Sequence, residues 1–97
     1  MITEIAILKI KPNQKYLFEE KFNIAKEIIS KSKGYLNREL LKCIELQDQY
    51  ILIVRWEKLE DHTIGFKKSE AYEEWKKILH DFYDPFPEVL HYKDLIL

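Results

Sequence analysis

Apolar residues recur along this chain with two periods, the two-residue period of a strand and the three-to-four-residue period of a helix. Residues 2–10 (ITEIAILKI) are rich in β-branched side chains and predict a first strand, closed by Pro12. Asn13 is placed to cap the next helix by accepting a backbone N–H. Within that helix Phe18, Phe22, Ala25, Ile28 and Ile29 form one apolar stripe down to Ser32. Gly34 is expected to stop it, because glycine takes the left-handed C′ conformation without a Cβ penalty. Residues 35–45 and 49–57 predict two strands, and the short link Leu46-Gln47-Asp48 makes them an antiparallel hairpin. From Lys58 to Ser69 the pattern holds a short helix, with Asp61 as candidate cap and a break near Gly65 and Ser69. A second long helix is expected from Glu70 to about Phe82. Ala71, Trp75, Ile78 and Leu79 form its stripe, and Glu73 pairs with Lys77 on the wet side. Pro85 and Pro87 end it, and Val89–Leu97 is the last strand.

The order β-α-β-β-α-β predicts an α+β domain of ferredoxin-like type over residues 1–97, a four-stranded antiparallel sheet with both helices on one face. The third strand adds a constraint. Tyr50, Leu52, Val54 and Trp56 point one way, while Ile51 and Ile53 point the other with only Arg55 polar among them. A sheet with one wet face would alternate. The helices cover one face, so the other needs a cover, and a second copy is the simplest one. The expectation is a homodimer in which two sheets close a barrel.

Composition narrows the classes. Sixteen basic against seventeen acidic residues leave a net charge of −1, without the Lys and Arg excess that nucleic-acid binding needs. Lys31-Ser32-Lys33 and Lys67-Lys68 read as solvated helix ends. Cys43 is the single cysteine, with no disulfide partner, so a reduced, cytoplasmic setting is expected. There is no basic leader, and no run approaches the roughly 20 apolar residues of a membrane span.

Several features together are similar to the antibiotic biosynthesis monooxygenase superfamily. They are the stop at Gly34, the strand ending in Trp56, the acidic turn Glu57-Lys58-Leu59-Glu60-Asp61-His62, the series Phe66, Ser69, Tyr72, and the tail Pro85-Phe86-Pro87-Glu88-Val89-Leu90-His91-Tyr92. The resemblance spans essentially the whole chain and implies a dimeric α+β barrel with a pocket in each subunit. It does not fix a reaction, because similar domains include cofactor-free quinone-forming monooxygenases, haem-degrading enzymes and proteins that process signalling molecules. The haem-degrading pattern is disfavoured. The first strand lacks its Asn, the Trp position resembles Phe66, and the place of its ligating His is taken by Lys76, with His80 about one turn away.

His62, at the start of the short helix, is the leading catalytic candidate, because imidazole titrates near neutral pH and could take a phenolic proton. Its structural alternative is a solvated histidine bonding the local backbone. His91 shares the last strand with Tyr92, which faces oppositely, so one of the two points inward; a hydrogen bond at the dimer seam is the alternative role for His91. His80 and Asp81 are expected on the surface. Trp56, Phe66, Tyr72 and Trp75 could line a flat slot for a ring system, or simply belong to the core. Asn37 and Arg55 are polar within apolar strands and could orient a ligand carbonyl, or lie at the dimer rim. No histidine pair or carboxylate cluster has metal-ligand spacing. Gly-rich phosphate motifs are absent, so an oxygenase built on this chain would run without flavin or nicotinamide. Two functions emerge: a cofactor-independent monooxygenase using dioxygen on a small aromatic or quinol substrate, and a non-catalytic small-ligand or stress-related protein. Isomerisation of a small oxygenated metabolite is a third.

Overall fold

The computed structural model describes residues 1–97. Strands β1 (Ile2–Lys9), β2 (Tyr35–Lys42), β3 (Gln49–Trp56) and β4 (Val89–Lys93) form one sheet in the order β2-β3-β1-β4, antiparallel throughout. Helices α1 (Lys15–Ile29) and α2 (Glu70–Leu79) pack together on one face of it. This is the ferredoxin-like arrangement that the pattern predicts.

The core lies between sheet and helices. Tyr50, Leu52, Val54 and Trp56 of β3 meet Phe18, Phe22, Ala25 and Ile29 of α1 and Trp75 and Leu79 of α2. Each large apolar side chain taken from water there contributes about 1.5–3 kcal/mol. Phe18 is the hub, with the rings of Phe22, Tyr50, Phe82 and Tyr83 around it at centroid distances of 5.0–6.3 Å. The opposite sheet face carries two apolar rows across the ladder, Leu41–Ile51–Ile7 and Ile53–Ile5–Leu90. Ile7, Leu41 and Leu90 are exposed, as is Tyr92 beside them, and no element of this chain covers them.

Several local expectations shift, each for a physical reason. Asn13 does not cap α1. It sits at φ 63° in a turn in which Gln14 N–H donates to Lys11 O at 3.2 Å, a left-handed position that asparagine tolerates. Gln14 takes the N-cap place without a side-chain bond. Helix α1 ends at Ile29, with Ser30 as its C-cap and well before Gly34, and a series of turn hydrogen bonds leads on to Tyr35. Gly34 does adopt the left-handed region at φ 82°, and a Cβ there would collide with the Asp61 carboxylate. Strand β2 stops at Lys42, so the hairpin connection runs from Cys43 to Asp48, closed by Cys43 N–H donating to Gln49 O at 2.9 Å. The short helix is a π-helical turn over Asp61–Phe66. Asp61 is its first residue and turns its carboxylate back to accept from Lys58 N–H at 3.1 Å. Helix α2 ends at Leu79, and a 3₁₀ turn His80–Phe82 takes its place. Glu73 pairs with Lys76 at 3.0 Å instead of with Lys77. Strand β4 stops at Lys93, which pairs with Ile2, the first residue of β1.

Candidate active site

The site begins on β1 with Glu4, the one acid among the inward-facing positions Glu4, Ala6 and Leu8. The antiparallel register sets Val54 of β3 opposite it on one side and His91 of β4 on the other. Trp56, two residues beyond Val54, reaches back diagonally, and its indole N–H donates to Glu4 Oε1 at 2.9 Å. His62 closes the group from above. The chain leaves β3 at Trp56 and enters the π-helical turn, in which Lys67 N–H donates to His62 O at 3.1 Å. That wide turn aims His62 and Phe66 the same way, into the core. The His62 ring stacks on Trp56 at 5.3 Å and 23°, with Phe66 at 6.3 Å.

The polar atoms form a chain. His62 Nε2 lies 3.5 Å from Glu4 Oε1, and His62 Nδ1 lies 2.7 Å from His91 Nε2. Both Glu4 and His62 are buried, at 5% and 3% exposure, whereas His91, on edge strand β4, is half-buried and does not line the cavity beside them. Burial pushes the Glu4 carboxyl up to about 7, with the Trp56 N–H and the Lys67 ammonium holding it partly down. Burial likewise pushes His62 down to about 4, with His91 and Lys67 acting in the same direction. Between these values the contact joins a neutral acid to a neutral imidazole, so it is not an ion pair. At 3.5 Å it is a loose contact that a short side-chain movement would tighten into a hydrogen bond.

Glu4 and His62 form part of the wall of a cavity of about 50 Å³. Ala6, Leu8, Leu52 and Val89 of the sheet and Ile29 of α1 add apolar wall; Phe66, Lys67, Tyr72, Trp75, His80, Tyr83, Phe86 and Pro87 complete it. Ser69 fixes Tyr72 by capping α2, its Oγ accepting from Tyr72 N–H at 3.1 Å and donating to Phe66 O at 2.6 Å. Lys67 Nζ stands 5.0 Å over the Tyr72 ring. Tyr83 is held by the pairing of Ile10 with Tyr83 and by Asp84 N–H donating to Lys9 O at 2.9 Å. The segment that follows lays Phe86 against His80 at 4.9 Å and Pro87 along the cavity.

The structure brings His62, Phe66, Tyr72 and Trp75 together at this cavity. His62 is enclosed in the wall and not solvated at a mouth. Trp56 is buried behind His62 and supports it without lining the cavity. His91 points inward, and Tyr92 faces the open side of the sheet. Asn37 and Arg55 are not at the site: they lie on the opposite sheet face, where Arg55 donates to Asn37 Oδ1 at 2.9 Å and to Glu39 at 2.8 Å. A bulge between Tyr35 and Asn37 is the cause, because the extra residue turns Asn37 outward although Tyr35 faces in. His80 is not a surface residue, since the 3₁₀ turn swings it between Tyr72, Tyr83 and Phe86. The hydrophobic pattern does not single out Glu4 as a site residue; its signal is an acid at the inward parity of an otherwise apolar strand. His, Cys, Asp and Glu side chains do not gather in groups of three that could hold a metal. No helix is long and apolar enough to cross a membrane.

Comparison with known proteins places this geometry in a family. The family model for antibiotic biosynthesis monooxygenase matches residues 1–78. YczJ of Bacillus subtilis (strain 168), an uncharacterized protein, is 50% identical over 95 residues, covering 98% of this chain and all of YczJ. A crystal structure from Bordetella bronchiseptica, assigned to the antibiotic biosynthesis monooxygenases, superposes with a TM-score of 0.92 at 27% identity, over 98% of this chain and 97% of its own. SnoaB of Streptomyces nogalater, a cofactor-independent oxygenase, superposes at 0.84 over 99% of this chain and 94% of its own, but at 12% identity that likeness speaks for the fold alone. The chain belongs to the antibiotic biosynthesis monooxygenase family.

Proposed function

We propose that the protein is a cofactor-independent monooxygenase for a small phenol or quinol, with Glu4 and His62 as the proton-accepting pair. The observation that carries this reading is a buried carboxyl set against a buried imidazole on the wall of an aromatic cavity. Such a pair can hold a proton taken from a phenol, leaving an electron-rich phenolate for dioxygen. One oxygen atom stays on the ring as a quinone carbonyl. The other leaves as water with the ring C–H and phenolic O–H hydrogens, so the electrons come from the substrate.

Which group ends with the proton follows from the numbers. A phenol ionises near 10, as tyrosine does. Moving its proton to a carboxylate at about 7 costs about 4 kcal/mol, against about 8 kcal/mol to an imidazole at about 4. His62 alone is therefore the weaker base, and the pair works with Glu4 as terminal acceptor. Substrate size follows from the cavity, about 50 Å³ against the roughly 150 Å³ that takes up benzene in an engineered core. Ring entry requires the Phe86–Pro87 segment to move outward, with Phe66, Tyr72 and Trp75 as the ring walls.

In the same reading the working unit is a homodimer, because the rows Leu41–Ile51–Ile7 and Ile53–Ile5–Leu90 need a cover. The test is oxygen uptake with one- and two-ring hydroquinones. Turnover that falls about a hundredfold in His62→Ala and in Glu4→Gln supports the pair. Saturable binding of these compounds without oxygen uptake would make the protein a ligand-binding member of the family instead.

A further inference from the structure

We propose that His91 is the proton exit of the site, passing protons between the buried Glu4–His62 pair and solvent. The inference deepens the monooxygenase reading, and it starts from a geometric problem. Glu4 and His62 are buried, at 5% and 3% exposure, yet a protonated Glu4 has to give up its own proton before it can accept one from a substrate. Of the two, His62 has a hydrogen-bonding partner that leads outward. His62 turns one ring nitrogen to Glu4 at 3.5 Å and the other to His91 Nε2 at 2.7 Å. His91, on edge strand β4, is half-buried.

A 2.7 Å contact between two imidazoles requires one N–H donor and one bare acceptor. In the resting arrangement Glu4 is protonated, His62 carries its hydrogen on Nδ1 and donates it to His91 Nε2, and His62 Nε2 faces the carboxyl. The outward step moves one proton along the chain. The Glu4 O–H bond breaks as His62 Nε2–H forms, His62 Nδ1–H breaks as His91 Nε2–H forms, and His91 releases its Nδ1 hydrogen to water. No charge remains on His62, whose burial disfavours the cation. The outward step leaves Glu4 as the carboxylate that accepts the substrate's proton, and the reverse sequence returns a proton inward. The groups facing the chain are Glu4 from β1, Trp56 from β3 as a donor only, and Lys67 beside the π-helical turn. Burial, with Lys67 acting in the same direction, disfavours a lasting positive charge on His91, so the proton is passed on and not stored there. Tyr83, across the cavity, is held protonated by burial and offers no competing path.

The relay can be tested without any substrate. Exchange of the Glu4 carboxyl hydrogen with deuterium oxide at pH 5 is followed by the infrared C=O stretch, and exchange of the Trp56 indole N–H is read by NMR as a monitor of site opening. His91→Gln keeps a hydrogen-bonding partner for His62 but cannot exchange protons through its amide. The expected result is carboxyl exchange slowed about a hundredfold in His91→Gln. Trp56 exchange is unchanged, and added imidazole partly restores the carboxyl rate. His91→Phe should show the same slowing. Carboxyl exchange equal in wild type and His91→Gln would overturn the relay. The monooxygenase reading stands or falls separately on oxygen uptake: slowed exchange with no turnover on any quinol would sink the activity and leave the relay in place.

Discussion

Replacing Glu4 by Gln should make the protein more stable at alkaline pH, although it removes a buried hydrogen-bonded group. The amide keeps an oxygen in the Oε1 place to accept the Trp56 N–H and, like the protonated acid, carries no charge. In wild type the folded-state pKa is raised, so the unfolded chain binds fewer protons than the native one between 4.5 and about 7. The contribution of Glu4 to stability is therefore fully present below 4.5 and is lost as pH rises to about 7. The loss over that interval corresponds to about 3 kcal/mol, at about 1.4 kcal/mol per pH unit. Glu4→Gln has no such loss. It should exceed wild type by about 3 kcal/mol at pH 8 and by under about 1 kcal/mol at pH 5. For a domain of this size about 3 kcal/mol is on the order of a 12 °C rise in midpoint. The assay is urea unfolding followed by tryptophan fluorescence at both pH values, with the slope m compared to check that the unfolded states are alike. An advantage at pH 8 no greater than that at pH 5 would refute a raised carboxyl at this site. His62 opposes the trend in wild type. Its folded pKa is depressed to about 4, so its contribution is lost as pH falls from 6.5 towards 4. The two slopes cancel over their shared window, and Glu4→Gln should expose the histidine slope alone.

Other outcomes follow from particular contacts. Trp56→Phe removes the N–H donated to Glu4, so the Glu4 titration read by NMR should move about one unit higher; no movement would mean the bond is not formed in solution. Gly34→Ala should cost about 1–3 kcal/mol in denaturant unfolding, because φ 82° disfavours a Cβ and the Asp61 carboxylate occupies its place. Asp61→Ala in the same background should recover part of that loss. Ile53→Glu, at the centre of the uncovered sheet face, should give a monomer by light scattering where wild type gives a dimer; a monomeric wild type would remove the barrel from the reading.

The backbone plan was legible in the sequence because burial imposes periods on it. The stripe Phe18–Phe22–Ala25–Ile29 and the row Tyr50–Leu52–Val54–Trp56 specify which faces meet, and they meet as expected. His62, Phe66, Tyr72 and Trp75 were legible as a candidate group for a related reason, since neighbouring elements bring neighbouring segments together. What tertiary structure alone decided is the chemistry at their centre. Glu4 becomes a raised carboxyl because tertiary packing buries it, and the register sets His91 opposite it while Trp56 and His62 reach it from the far end of β3, contacts between residues remote in sequence. The bulge after Tyr35 reversed the side on which Asn37 lies, and the switch from α2 to a 3₁₀ turn brought His80 inward. A one-residue change in backbone count redirects a side chain completely while leaving the hydrophobic pattern almost unaltered. Periodicity therefore determines the layers of this protein, and the exact register between them determines which polar groups share its cavity.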